Sequence, residues 1–374
     1  MDLMSWKRLC TWNKLKMDTR KYYIDNLRWM VILLLVPYHT AQAFNTWGEG
    51  FYVYIAPSKA ISSLICFFAP FIMPLLFAFA GMSTRFALKK RSVGQYIVER
   101  IKRLVVPLVF GTLVFASLMA YIGNRYNYGY EGNYFSHLGV FFTKFTDLAG
   151  FDGGFNVGQF WFLLYLFVIS MVAVGLISLQ KKFLPKMTGI LPLWAVVLLG
   201  LPLPLLSDLL SVGGKSYVEF LYIFLVGYYV LAHDEVTDKI ARLRFLFFPV
   251  GLIACTAYVI SFIWLEVPHE WVNDIFIYVG RWFMVLGLIG VGKKHLGFHG
   301  KLSSYLSKIS MAFFGLHFVI VVVMLYVFVG IFRENIPLMY FVPMITSCIL
   351  TFIFSDIFMR VPPLCFLIGG KYKK

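Results

Sequence analysis

The chain has 374 residues, of which 60% are apolar and only 14% are charged, and its mean hydropathy is +0.77. Soluble globular domains carry about 25% charged residues, so this composition excludes the ordinary soluble classes and indicates an integral membrane protein. The formal net charge of +16 would suit a nucleic-acid partner, but the placement of the cations argues against one.

Ten apolar segments are candidates for membrane-spanning helices, because such a helix needs about 20 mostly apolar residues. They lie at residues 28–46, 61–82, 104–122, 159–179, 189–206, 217–232, 246–265, 275–291, 309–331 and 337–359. The fifth and sixth are short, and Pro192, Pro202 and Pro204 interrupt the fifth. The sequence therefore predicts an all-α, polytopic integral membrane protein of about ten transmembrane helices in one domain over residues 1–374.

Lysine and arginine fall on alternate loops between these segments. The loops with few cations hold Lys59, Arg125, Lys144, Lys215 and Arg333. Cytoplasmic loops are the ones enriched in Lys and Arg, so both termini are predicted to be cytoplasmic, with residues 1–27 a basic N-terminal segment and residues 360–374 a basic tail. Most of the positive charge is then explained by the cytoplasmic loops of a protein in the cell membrane. We therefore expect no nucleic-acid partner.

The first span, residues 27–44 (LRWMVILLLVPYHTAQAF), carries ionisable side chains. Eleven residues separate Arg28 from His39, which corresponds to roughly 16 Å along a helix and brings both to nearly the same face. Asp25 lies close to the same stripe. Ionisable groups in a span are by default functional and face the bundle interior, although Arg28 alone could be an interfacial anchor and His39 a core histidine bonded to a carbonyl.

A histidine with a near-neutral pKa suits general-base work on a hydroxyl or transient covalent catalysis. An arginine suits a phosphate or carboxylate. The pair therefore predicts a cavity that admits an anionic donor and carries out proton or group transfer deeper inside.

Residues 123–158 form the longest stretch between spans and are rich in Gly, Asn, Tyr and Phe. Two interpretations are open: the loop covers a site and stacks on sugar rings, or it is an ordered cap on the bundle. The five cysteines show no metal-ligand spacing, so we expect no metal site and no permanently bound cofactor.

Five segments, in order, resemble the membrane-bound acyltransferase-3 family. They are RKYYIDNLRWMVILLLVPYH, FAFAGMSTRFALKKRSVGQYIVERIKRLVVP, GQFWFLLYLFV, LSKISMAFFGLHFVIVV and MRVPPLCFLIGGK. The last resembles an ending found in the glucans biosynthesis protein C branch, which is thought to succinylate periplasmic glucans. The resemblance implies an acyltransferase-3-like membrane domain that moves an acetyl or succinyl group from cytosolic acyl-CoA to a hydroxyl of an extracytoplasmic glycan or similar carbohydrate.

The resemblance makes His39 the catalytic histidine and Arg28 its partner, which we assign to the donor's phosphates or thioester carbonyl. Many relatives have histidine at the position of Gln159, which can bond a sugar hydroxyl but cannot act as a base. The family's arginine pair corresponds to Arg100 and Arg103, so these are expected to contact coenzyme A phosphates. Arg85 belongs to the same basic cluster, for which binding of anionic headgroups is the alternative.

Four further residues are expected to support the site or contact the acceptor. His317, with Ser310 on the same helix face, should lie at a depth similar to His39, where an interhelical hydrogen bond or direct catalysis are the alternatives. Arg281 can form a buried pair with Glu219. Trp161 is either an interfacial belt tryptophan, which we favour, or a stacking platform for the acceptor sugar.

The expected partners are acyl-CoA, a carbohydrate acceptor and the lipid bilayer, with a homo-oligomer left open. The main rival function is a transporter or flippase of an anionic sugar or lipid-linked glycan, with Arg28 and His39 as its ligand and proton-coupling groups. A membrane sensor or scaffold is the weaker rival, because it would not need the polar stripe of the first span.

Overall fold

The structure, a computed structural model, describes residues 20–145, 150–183 and 190–370. Most of the predicted N-terminal segment, residues 1–19, therefore lies outside the described residues, as do the last four residues of the predicted tail. The helices are α1 (Tyr22–Gln42), α2 (Lys59–Leu88), α3 (Val93–Tyr128), α4 (Tyr134–Thr143), α5 (Gly158–Phe183), α6 (Leu193–Leu206, with an internal turn), α7 (Tyr217–Leu231), α8 (Asp234–Arg242), α9 (Arg244–Trp264), α10 (Glu270–His295), α11 (Lys301–Phe332), α12 (Ile336–Arg360) and α13 (Pro362–Leu367). The two strands found there, β1 (Ser211–Val212) and β2 (Lys215–Ser216), form one antiparallel hairpin.

Seven helices in the described ranges are long and apolar enough to cross a membrane: α2, α3, α5, α9, α10, α11 and α12. The other three predicted spans correspond to α1, which carries the polar stripe, and to α6 and α7, which are shorter apolar helices. The all-α, polytopic character is thus confirmed. The helices extend beyond most of the predicted spans, because they continue past the apolar segments into flanking polar residues.

Helix α1 lies at the centre of the bundle, where it contacts α2, α10, α11 and α12. Its apolar residues Leu35 and Val36 are each only 1% exposed. Contact with four other helices places the ionisable side chains of α1 against protein, as expected for such groups in a span.

Helices α2 and α7 approach each other backbone to backbone. A Cβ on Gly81 would overlap the carbonyl oxygen of Phe224, and a Cβ on Gly227 would overlap that of Ala78. Glycine is required at both positions, since any larger side chain would force these helices apart.

Two π-helical turns, Ile101–Val105 and Thr112–Ala116, interrupt α3. Pro107 follows the first of them and has no backbone N–H to donate to the preceding turn. Single π turns inside α-helices occur often at functional sites. The first of the two turns, Ile101–Val105, directly follows Arg100 and contains Arg103.

The bundle has two distinct ends. The basic end is defined by Arg28, Arg85, Arg100, Arg103 and Lys293 and is formed where α1, α3 and α11 begin and α2 and α10 end. The far end is defined by residues 43–58, 150–158 and 207–216, which form two loops and the β1–β2 hairpin.

Candidate active site

A cavity of about 720 Å³ opens at the far end and reaches down to His39. Four predicted site residues line it: His39, Gln159, Trp161 and Arg281. They come from α1, α5 and α10, so the fold brings together side chains that are up to 242 positions apart in the sequence. A cavity of this size, with convergent polar groups, is the default expectation for a ligand site.

His39 lies on the cavity wall in a partly buried position. Its imidazole stacks on the Phe318 ring with centroids 4.1 Å apart, and the Tyr38 ring meets it edge-on at 5.2 Å. The His317 ring lies 5.3 Å away. Aromatic contacts on several sides restrict the orientation of the His39 ring.

His317 is fully buried on α11. Its Nδ1 lies 2.8 Å from the carbonyl oxygen of Phe314 and 3.2 Å from that of Phe313. The bonds of Nδ1 stay within α11, and Nε2 has no hydrogen-bond partner among the described residues. Ser310 likewise donates within its own helix, to the carbonyl oxygen of Ser307 at 3.0 Å. Although Ser310 and His317 were expected on one face of α11, neither lines the cavity.

Gln159 lies in the first turn of α5 and is only 3% exposed. Its amide nitrogen donates to the carbonyl oxygen of Gly315 at 3.0 Å. The side-chain oxygen has no hydrogen-bond partner among the described residues. This geometry leaves a buried acceptor beside the cavity, where it can receive a hydroxyl proton.

The predicted pair of Glu219 and Arg281 is confirmed. The two side chains form a hydrogen-bonded ion pair in the cavity wall, with exposed fractions of 6% and 16%. Arg281 also donates from Nε to the carbonyl oxygen of Pro70 at 3.1 Å and lies 4.9 Å from the centroid of the Tyr278 ring. These contacts hold α2, α7 and α10 together around the cavity.

Trp161 faces the cavity below the β1–β2 hairpin. The ammonium group of Lys215 lies 5.0 Å from the centroid of the Trp161 ring. The Tyr165 hydroxyl bonds to the carbonyl oxygens of Val212 and Lys215 at 2.9 and 3.0 Å, which attaches the hairpin to α5. The tryptophan thus has the position that a stacking residue would need.

Sequence reasoning missed several polar residues of the cavity. They are Tyr38, Glu49, Asp208, Lys215, Tyr258 and Tyr278. The pair Gly213 and Gly214 is a turn signal between two short polar segments, and it could have indicated the hairpin. No local pattern indicates that this hairpin folds over the cavity.

Part of the stretch at residues 123–158, which is rich in aromatic residues, forms one side of the cavity. Phe151 lines it and meets the Tyr52 ring edge-on at 4.9 Å. Tyr52 donates to the side-chain oxygen of Asn156 at 2.7 Å. Burial, together with the nearby Asp152 carboxylate, raises the pKa of Tyr52 far above its ordinary value, so the phenol stays a donor. The described part of the loop is therefore both an ordered cap and a cavity wall.

Arg28 lies at the basic end and does not line the cavity. Its guanidinium bonds to the Asp25 carboxylate at 3.2 Å and to the Ser83 hydroxyl at 3.1 Å. Arg100 donates to the hydroxyl of Thr84, the next residue on α2, at 3.0 Å. Ser83 and Thr84 are adjacent on α2, so their hydroxyl groups hold Arg28 and Arg100 near each other. The positive charges of Arg100 and Arg103 both repel that of Arg28.

Arg103 and Arg85 have different surroundings. Arg103 lies 3.8 Å from Glu99, the i,i+4 pair expected on this helix. Arg85 is directed to α7, where it donates to the carbonyl oxygen of Tyr228 at 3.3 Å and lies 5.6 Å from that ring. Of the four arginines predicted to bind the donor, Arg28, Arg100 and Arg103 interact with one another, whereas the contacts of Arg85 are with α7.

The arrangement provides a partly buried imidazole at the bottom of an open cavity and a group of cations on the opposite side of it. Along α1, the rise from Arg28 to His39 is roughly 16 Å. Such an arrangement can join a reagent that binds through its negative charge at one end to a second reagent that enters from the other end.

Comparison with known proteins identifies the family of the chain. The acyltransferase domain of the acyltransferase-3 family matches residues 21–360, which cover α1 to α12. No curated protein and no solved structure matches the chain. Because the match spans most of the chain, and because the structure has seven membrane-length apolar helices in its described part, this multi-pass membrane protein belongs to the acyltransferase-3 family and is a membrane acyltransferase.

Proposed function

We propose that the protein is an O-acyltransferase that takes an acetyl or succinyl group from cytosolic acyl-CoA and transfers it to a hydroxyl of an extracytoplasmic glycan or similar carbohydrate. One observation carries the proposal. His39 lies at the bottom of a cavity open at the far end, while Arg28, on the same helix, lies among cations at the basic end.

The topology in the cell membrane follows from the cations. Ten spans, with α1, α6 and α7 crossing beside the seven longer helices, would bring both termini to the basic end. Basic loops remain in the cytoplasm, so the cavity would open on the extracytoplasmic side. The donor and the acceptor would then reach His39 from opposite sides.

The donor end suits a phosphorylated ligand. Guanidinium groups bind phosphate oxygens with paired, charge-assisted hydrogen bonds, and Arg28, Arg100 and Arg103 lie near one another. Coenzyme A carries phosphates at one end and its thioester at the tip of a long pantetheine arm. With the phosphates at the basic end, this arm would extend beside α1 towards His39.

The acceptor end suits a carbohydrate. Trp161 offers a ring face at the cavity wall, and Gln159 offers a buried amide oxygen for a sugar hydroxyl. Amphipathic aromatic side chains and a few placed polar groups are the usual features of small-molecule sites. The C-terminal segment MRVPPLCFLIGGK supports the glucan-modifying branch, in which the acyl group would be succinyl.

In the simplest mechanism the neutral His39 imidazole takes the proton of the acceptor hydroxyl as its oxygen attacks the thioester carbonyl. The C–S bond then breaks, and the proton on His39 passes to the leaving thiolate to give free coenzyme A. In the variant mechanism His39 attacks the thioester first and carries the acyl group briefly. Ping-pong kinetics or a trapped acyl-histidine would identify the variant.

The test is thiol release by the purified protein in nanodiscs, with acetyl-CoA and succinyl-CoA as donors and an envelope carbohydrate fraction as acceptor. Loss of a general base typically lowers the rate by about 10²–10⁴-fold, and we expect this for His39→Ala. His269→Ala is the matched control, because His269 is exposed and outside the cavity.

Three outcomes separate the candidates. Carbohydrate-stimulated release that depends on His39 supports the transferase and identifies its donor. Donor binding without release, even with the carbohydrate fraction, contradicts transfer. If no acyl-CoA binds, the donor assignment fails and the transporter of an anionic sugar or lipid-linked glycan becomes the better explanation.

A further inference from the structure

We propose that His317 is a positioning residue for His39: it accepts a hydrogen bond from one ring nitrogen of His39 and thereby leaves the other, with its lone pair, facing the cavity. The hydrogen-bond direction follows from the structure alone. Its catalytic consequence rests on the function proposed above.

The first observation fixes the tautomer of His317. Its Nδ1 lies within hydrogen-bond distance of the carbonyl oxygens of Phe313 and Phe314, and a carbonyl oxygen can only accept. Nδ1 must therefore carry the proton. A neutral imidazole has one donor and one acceptor nitrogen, so Nε2 is left as an acceptor.

The second observation is that this acceptor is buried and unsatisfied. His317 has no exposed surface, and Nε2 has no hydrogen-bond partner among the described residues. A buried polar atom without a partner is unfavourable, so a donor within reach would be bound.

The third observation supplies that donor. The His39 ring centroid lies 5.3 Å from that of His317, and an N–H···N bond of about 3 Å fits between two imidazoles at this separation. Stacking on Phe318 at 4.1 Å limits the His39 ring mainly to rotation in its own plane. A small rotation of this kind directs one His39 nitrogen to Nε2 of His317.

The direction of the bond cannot be reversed. Because Nδ1–H of His317 is held by its own helix, only His39 can donate between the two rings. The His39 nitrogen at the cavity is then the one without a proton, which is the form that a general base or a nucleophile requires.

The reaction keeps its proton balance. When His39 takes the hydroxyl proton, it becomes a cation that still donates to the neutral His317. The proton leaves with the coenzyme A thiolate, and His39 returns to the same tautomer. His317 itself neither gains nor loses a proton.

The test measures the His39 tautomer by ¹⁵N NMR of histidine-labelled protein in nanodiscs, with the His39 signals assigned by their loss in His39→Gln. We expect a single tautomer in the wild type. His317→Leu, which removes the acceptor, should give a mixture, whereas His317→Gln keeps a carbonyl acceptor and should restore one tautomer. His137→Leu is the matched control, since His137 is also fully buried but contacts Tyr121 and Tyr130 outside the cavity.

Activity provides a second readout. Thiol release by His317→Leu should fall about tenfold in kcat, the equivalent of one lost hydrogen bond, with the KM for acyl-CoA unchanged and the rate rescued by His317→Gln. Exchange between tautomers in the wild type, or a single tautomer in His317→Leu, would overturn the proposal. A fixed tautomer in a protein that transfers no acyl group would instead leave the histidine pair intact and refute the proposed function.

Discussion

The two ends of the bundle satisfy their charged groups in opposite ways. At the far end, Glu219 and Arg281 neutralise each other in the cavity wall, and Gln159 is held by the carbonyl oxygen of Gly315. At the basic end, in the part of the chain that the structure describes, arginines outnumber the carboxylates that they contact. Asp25 is shared by Arg20 and Arg28, and Glu99 is shared by Arg91 and Arg103.

This difference indicates at which end of the bundle the charge of a ligand contributes to binding. A cavity wall whose charges are paired with each other is already neutral before the ligand binds. It therefore needs no compensating charge from the ligand. A group of cations with too few carboxylates repels itself, and an anionic ligand relieves that repulsion. We therefore expect the acceptor cavity to depend on its ion pair for stability and the basic end to depend on its arginines for affinity.

The largest expected effect comes from breaking the ion pair of the far end. Arg281→Met or Glu219→Met leaves its partner charged and buried, which costs about 3–5 kcal/mol. The double variant should be considerably more stable than either single one. Thermal unfolding in detergent measures this.

The exposed pair of Lys59 and Glu266 is the matched control, with 43% and 69% of the side chains exposed. Pairs of this kind contribute at most about 1 kcal/mol. If Lys59→Met destabilises the protein as much as Arg281→Met does, burial is not the reason for the effect.

An intermediate effect is expected at the basic end. Hydrogen bonds to charged groups contribute about 1.5–3 kcal/mol, so Arg28→Ala should raise the KM for acyl-CoA by roughly 10- to 100-fold with little change in stability. Arg85→Ala should raise it much less, because Arg85 contacts Tyr228 on α7. Equal effects of the two substitutions on KM would show that the basic end binds the donor through diffuse charge alone.

The smallest effect concerns pH. Burial alone would raise the pKa of Asp234, but hydrogen bonds from the Lys21 and Lys293 ammonium groups outweigh it and lower the pKa. The stabilisation is thus complete above the ordinary aspartate pKa of about 3.9 and is lost as the pH falls through the lower folded-state value. Asp234 is 54% exposed, so we expect less than about 1 kcal/mol.

Asp234→Asn should accordingly be slightly less stable than the wild type at neutral pH and equally stable in strong acid. Unfolding temperatures of both proteins across this pH range provide the measurement. A difference that stays constant into strong acid would mean that the aspartate contributes by packing rather than by charge.

Local chemistry made much of the basic end predictable. Arg28 and His39 lie eleven residues apart on one helix, so their common face follows from helical geometry. The same holds for Arg103 and Glu99, which are four residues apart. Other contacts of this end depend on helix packing: those of Arg28 with Ser83, of Arg100 with Thr84 and of Arg85 with Tyr228. The last also requires the close approach of α2 and α7 at Gly81 and Gly227.

The sequence by itself determined the class of the protein, the approximate positions of its helices and the polar stripe of α1, because hydropathy and helical periodicity are local properties. Only the tertiary structure decided that Gln159, Trp161 and Arg281 share a cavity with His39, that the hairpin at residues 211–216 covers it, and that His317 lies beside His39. Those relations depend on which helices pack together and at what rotation. They result from the side-chain contacts of the whole bundle, which no short segment encodes.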